Sequence, residues 1–179
     1  MALDPLPLGP ISRPIAALAE MIAGCQVFQE RAELVYPDPD AVEKLIYGER
    51  SQKRIWYPSL EDENYPNLLP FAVVSPTAEW ALTVRAGGDR YHHPAPEGTL
   101  QVFLGLQARY GKDMPASFLD ATNYVGQLCR ELTDQSGSGG KLSLEDVRTT
   151  SPIFRDTEAN EASRGHGIWF CALEVEYGV

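Results

Sequence analysis

Long apolar runs are missing from this sequence. No stretch approaches the about 20 residues of a helical membrane span, so a chain threaded through a bilayer by helices is excluded. Cysteine is scarce. Cys25, Cys129 and Cys171 are odd in number and widely spaced, so they make no disulfide framework and point to a reducing cytoplasm. Positive charge is in deficit: 15 Lys and Arg stand against 25 Asp and Glu, a formal net charge of −10. That balance argues against a surface that neutralises nucleic-acid phosphates. It suits a surface that DNA passes without sticking, and it also serves solubility through self-repulsion. Met1 to Pro7 offer no basic stretch followed by an apolar one, so no secretory signal is expected. No internal repeat is present, which removes the solenoid and propeller classes.

What remains is ordinary globular material, with 44% hydrophobic and 22% charged residues in 179. One domain over residues 1–179 is the simplest count. Its core is expected over 69–179, behind an N-terminal helical region at 11–46 and an irregular proline-rich insert at 35–67. The best strand is Ile168 to Gly178. Successive side chains of a strand point to opposite faces, which puts Trp169, Cys171, Leu173, Val175 and Tyr177 together. The other face carries Ile168, Phe170 and Ala172, then Glu174 and Glu176. A strand of this kind belongs inside a sheet.

Upstream, Ser12 caps a helix whose apolar face is Ile15, Leu18, Ala19, Ile22 and Cys25, with Pro14 in the tolerated first turn. Phe28 to Val35 reads equally as short helix or strand. Pro37 to Asp40 forms a turn before a short helix through Ala41 to Ile46. Tyr47 to Asn67 is mostly loop, with Arg54 to Tyr57 as a short element. Strands are expected at Phe71 to Val74, at Glu79 to Arg85, and at Leu100 to Ala108, where Leu100, Val102, Leu104, Leu106 and Ala108 share a face. Asp113 and Pro115 open the main helix, with Phe118, Ala121, Val125, Leu128, Cys129 and Leu132 at helical spacing. The tract Ser136 to Gly140 ends it, and Leu142 to Thr149 forms another strand. The order predicts an α+β fold: an antiparallel or mixed β-sheet with one main helix packed on a face, plus N-terminal helices.

Candidate chemistry is sparse. His92 and His93, with Glu97 or His166, lack the ligand spacing of a structural zinc, and a solvated loop pair is the better reading. The glycine tract before Lys141 is followed by Leu142 where a phosphate-binding loop needs Ser or Thr, and it lies between helix and strand in the wrong order. The three cysteines fall on apolar faces and read as core packers, so no thiolate nucleophile is expected. Glu174 and Glu176 could pair as acid and base, but the solvated face of an outer strand end is preferred. No catalytic residue, metal site or cofactor is expected.

Four stretches resemble the tail-terminator family of long-tailed bacteriophages and related prophage tail and neck proteins. They are the helix Ile15 to Phe28 before Leu69-Pro70-Phe71-Ala72-Val73-Val74; Gly98-Thr99-Leu100-Gln101-Val102-Phe103-Leu104 leading to the helix Pro115 to Leu132; Gly140-Lys141-Leu142-Ser143-Leu144; and the final Gly167-Ile168-Trp169 through Tyr177-Gly178. The resemblance spans Leu69 to Val179, and residues 35–67 depart from it. It implies a structural virion protein without catalysis. Such a subunit forms a homo-oligomeric ring, a hexamer in this family, at the head-proximal end of the tail. The ring caps the tail tube protein and joins it to the head–tail connector or stopper protein. DNA passes through without specific binding, no membrane is involved, and assembly takes place in the host cytoplasm. The alternatives are another neck or minor tail component (stopper or tail completion), a small cytoplasmic α+β enzyme with His92, His93 and Glu97 at its site, or a generic interaction domain. Candidate residues for the subunit or tail/neck interface are Arg90, Tyr91, His92 and His93, in the loop Ala86 to Gly98, with Glu174 and Glu176.

Overall fold

The computed structural model describes residues 12–58, 68–77, 97–137, 142–155 and 167–178. Among these residues there are three α-helices: α1 (Ser12–Gly24), α2 (Gln26–Arg31) and α3 (Met114–Gly137). A single π-helical turn covers Glu43–Tyr47. The strands are β1 (Ile55–Trp56), β2 (Phe71–Pro76), β3 (Gly98–Gln107), β4 (Ser143–Thr149), β5 (Phe154–Arg155) and β6 (Ile168–Gly178). They form one sheet in the order β1-β2-β3-β6-β4, with β5 beside the start of β6 on the β4 side. Of the described pairs only β1–β2 is parallel, so the sheet is mixed and the fold is α+β.

β6 lies between β3 and β4, the interior place its composition called for. Its residues 168–173 are all buried, and burial then alternates with Glu174 and Glu176 as the half-exposed positions. The face shared by Leu100, Val102, Leu104, Leu106, Trp169, Cys171, Leu173, Val175 and Tyr177 is covered by the three helices, and this layer holds the main core. Leu104, Leu128 and Leu173 are each fully buried within it.

Side-chain bonds tie the helices to one another. Asp113 caps α3: its Oδ1 accepts the Ala116 N–H at 3.2 Å. Glu131 of α3 accepts the Val27 N–H at 3.3 Å, placing a carboxylate on the first turn of α2. Gln29 is buried and bridges Ala23 O at 2.8 Å to the Asp38 N–H at 3.1 Å, which fixes the corner between α1, α2 and the following turn. Arg31 grips both carboxylate oxygens of Asp120 at 2.8 and 2.7 Å, joining α2 to α3.

Several details differ from the sequence pattern. The ambiguous stretch after Phe28 is helical only to Arg31 and then turns, with Glu33 at φ 63°. The main helix runs to Gly137, within the tract Ser136 to Gly140 expected to end it. Phe118 is not in its buried stripe but 43% exposed, and Ser117 takes the inward place because its Oγ accepts the Trp169 Nε1–H at 2.6 Å. The expected strand at Glu79 to Arg85 and the loops at 86–96 and 156–165 lie outside the described residues.

Candidate interaction face

Among the described residues no helix lies on the second face of the sheet. Strand alternation builds this face from Trp56, Phe71, Val73 and Ser75, then Gln101, Phe103, Gly105 and Gln107, then Ile168, Phe170, Ala172, Glu174 and Glu176. Arg148 and Phe154 join from β4 and β5, opposite Glu174 and Phe170. The face is divided in two along β6.

The half near the start of β6 is aromatic. Phe154, Phe170, Gly105 and Phe71 form one row across four strands, with Phe103 in the next row. Phe103 and Phe170 stack with centroids 5.7 Å apart and planes 3° from parallel. Phe154 and Phe71 lean on Phe170 at 5.8 and 6.2 Å. Such pairs contribute about 0.5–1.5 kcal/mol each beyond the area they bury. Trp56, Phe71, Ile168 and Phe170 make a small core of their own, with Leu68, Leu69 and Val73 against it. Phe103 and Phe154 remain 37% and 41% exposed, so the aromatic ladder ends in two rings presented to solvent.

The half near the end of β6 is charged. Arg148 bonds Glu174, contacts Glu176 at 2.8 Å and reaches Asp146 at 3.3 Å. The Glu174 hydrogen bond, and then the charges of Glu174 and Glu176, hold its guanidinium above the ordinary arginine value. The two glutamates are therefore neither at an outer strand nor simply solvated: β6 is interior, and a β4 cation on the adjoining strand draws them together. Exposed pairs of this kind add about 0–1 kcal/mol of stability. Their main effect is to set charge in place, since three carboxylates around one guanidinium leave an anionic patch beside the aromatic one.

Arg90, Tyr91, His92 and His93 lie outside the described residues, so of the six expected interface residues only Glu174 and Glu176 are placed, and they are placed together. Phe103, Arg148 and Phe154 were not among those six. Phe103 carried a signal, an aromatic ring on the otherwise polar side of its strand. Arg148 and Phe154 had none, because each matters through a strand partner far away in the chain.

The remaining chemistry is quiet. Burial, followed by the Cys171 charge, pushes the Cys129 thiol up to about 11; burial raises Cys25 and Cys171 as well. These are poor settings for a thiolate at neutral pH. Among the described residues no group of three or more His, Cys, Asp or Glu could hold a metal ion, and no helix is long and apolar enough to cross a membrane. A groove of about 350 Å³ borders Glu30, Arg31, Glu33, Leu69 and Arg109. Arg31 is not available to a ligand there, because Asp120 holds it and its guanidinium lies 5.7 Å over the Tyr124 ring. No protein-family model matches the chain, and no curated protein matches it.

Proposed function

We propose that this chain is an assembly subunit of a long-tailed bacteriophage or prophage, a tail terminator whose ring closes the tail tube and meets the head connector. The observation that carries the reading is the sheet face on which no described helix lies, where Phe103 and Phe154 stand exposed beside the anionic group at Arg148. A subunit that worked alone would gain nothing from two exposed rings stacked on a buried aromatic ladder, whereas a subunit that docks on another protein would bury them. The order of helices and strands agrees with the spacings that resemble the terminator family. The acidic balance suits a ring through which DNA slides. No catalysis is part of this reading, and the raised thiols speak for packing in place of nucleophilic work.

Light scattering over a range of concentrations, with negative-stain imaging in the presence of tail tube protein, tests it. Self-association into closed rings, or rings seated on tube ends, is the expected outcome. A protein that stays monomeric at every concentration and leaves tubes unchanged would sink the reading.

A further inference from the structure

Resting on that reading, we infer that the exposed part of this sheet face, at Phe103, Phe154 and the Arg148 group, is occupied by the outer stripe of α3 from a second copy of this chain. The stripe is opposite the buried one. Leu119, Thr122, Asn123, Gly126, Gln127 and Arg130 follow helical spacing along it and border a shallow depression of about 520 Å³. Leu119 is 65% exposed, a large apolar side chain with no place in its own core. Gly126 sits at mid-helix, where glycine costs about 1 kcal/mol relative to alanine, and a Cβ there would meet nothing within 4 Å. Nothing in its own subunit requires that glycine, but a second backbone coming close would. Arg130 has a side chain 79% exposed and is held only by a 4.0 Å contact with an equally open Asp134.

The two surfaces complement each other in charge and in length. The sheet face offers an aromatic patch and an anionic group in which carboxylates outnumber cations. The helix stripe offers the apolar Leu119 and the cation Arg130, with the exposed Asp134 carboxylate one turn further on. Leu119 and Arg130 are 11 residues apart, about 16 Å along a helix. From the Phe154–Phe170 row to Glu174 and Glu176 is 4 to 6 residues of strand, about 13–20 Å. Leu119 can therefore rest on the Phe103 and Phe154 rings while Arg130 reaches the glutamates. Sheet face and helix stripe lie on opposite layers of the subunit, so the contact is head-to-tail, which gives a ring where the rotation from copy to copy closes and an open filament where it does not.

Mixing two single variants, Leu119→Cys and Phe103→Cys, under mild oxidation tests the pairing directly. Both positions are exposed, so both variants should fold. A cross-linked dimer forming in the mixture and in neither variant alone is expected. Cross-linking within one variant alone would mean a self-complementary contact and would overturn the inference. Charge reversal gives a second reading: Arg130→Glu should weaken self-association by about tenfold or more, and adding Glu176→Lys to it should restore much of the loss. Association of the unmodified protein without cross-link or rescue overturns this contact and leaves the ring standing. A strictly monomeric protein overturns both.

Discussion

Gly105 is the residue that lets the aromatic ladder exist. It stands in register between Phe71 of β2 and Phe170 of β6, and the Phe71 ring occupies the space where its side chain would be. A Cβ there would lie 2.6 Å from Phe71 Cζ, and Phe71 is buried with no room to retreat. Gly105→Ala should lower stability by about 1–3 kcal/mol, the cost of overpacking, seen as a lower denaturant midpoint with an unchanged slope. Asp120 supplies a second residue-level test. Burial raises its carboxyl, but the Arg31 hydrogen bonds and the Arg109 N–H at 3.0 Å outweigh that and hold it below the usual carboxylate range. A carboxyl depressed in the folded state stabilises above its unfolded value of about 3.9, and that contribution is lost as pH falls through the folded value. The stability gap between the wild type and Asp120→Asn should be full near neutral pH and shrink below about pH 4. Urea midpoints measured from pH 7 to pH 2 check this; a gap constant across that range would deny Asp120 its role.

At the scale of elements, α3 and the pair β3–β6 carry the core. Leu104, Leu128 and Leu173 come one from each and are fully buried together. Truncating any of them to Ala should cost about 2–5 kcal/mol, measured by thermal or denaturant unfolding. Unchanged stability in all three variants would place the core elsewhere. These three elements were legible in the sequence for one reason: each is long enough for its period to repeat several times. Every inward position named from Leu100 to Ala108 and from Trp169 to Tyr177 is buried, and Asp113 caps α3 as its position suggested. β5 has two residues and no period to read, and β1 showed only as an unassigned short element. Phe118 was misread for a different reason: Ser117 holds the inward place beside it. A polar residue at an inward position looks like surface until the Trp169 indole that satisfies it is known. The group formed by Arg148, Glu174 and Glu176 depends on β4 lying next to β6, and strand order is not a local property of sequence. For that reason the glutamates were found and their cation was not.

For the whole molecule, the two layers differ: among the described residues the helices cover one side of the sheet, and the proposed docking falls to the other. Edge-to-edge growth is discouraged at the outer strand. β4 is charged and largely exposed, and its register shifts by a bulge between Leu144 and Asp146, both of which spoil a flat template for another strand. Association should therefore proceed without added β-structure, and far-ultraviolet circular dichroism per residue should be the same before and after the protein associates. A gain of β signal on association would point to strand addition in place of face docking.

The interior place of β6 also bears on how the chain reaches its native state. β3 and β6 pair residues about 60–80 positions apart, and among the described residues β4 has no strand neighbour except β6. Until β6 arrives, the described strands set only β1, β2 and β3 side by side and leave β4 without a described strand to join, so the sheet is completed only by its last strand. Pairings this distant must close a large loop before any bond rewards them, which places refolding in the range of about milliseconds to seconds, slower than a helical protein of the same size. In pulse-labelled hydrogen exchange, the amides of β3, β4 and β6 should gain protection in a single step. A chain cut before residue 167 should collapse without ever acquiring it.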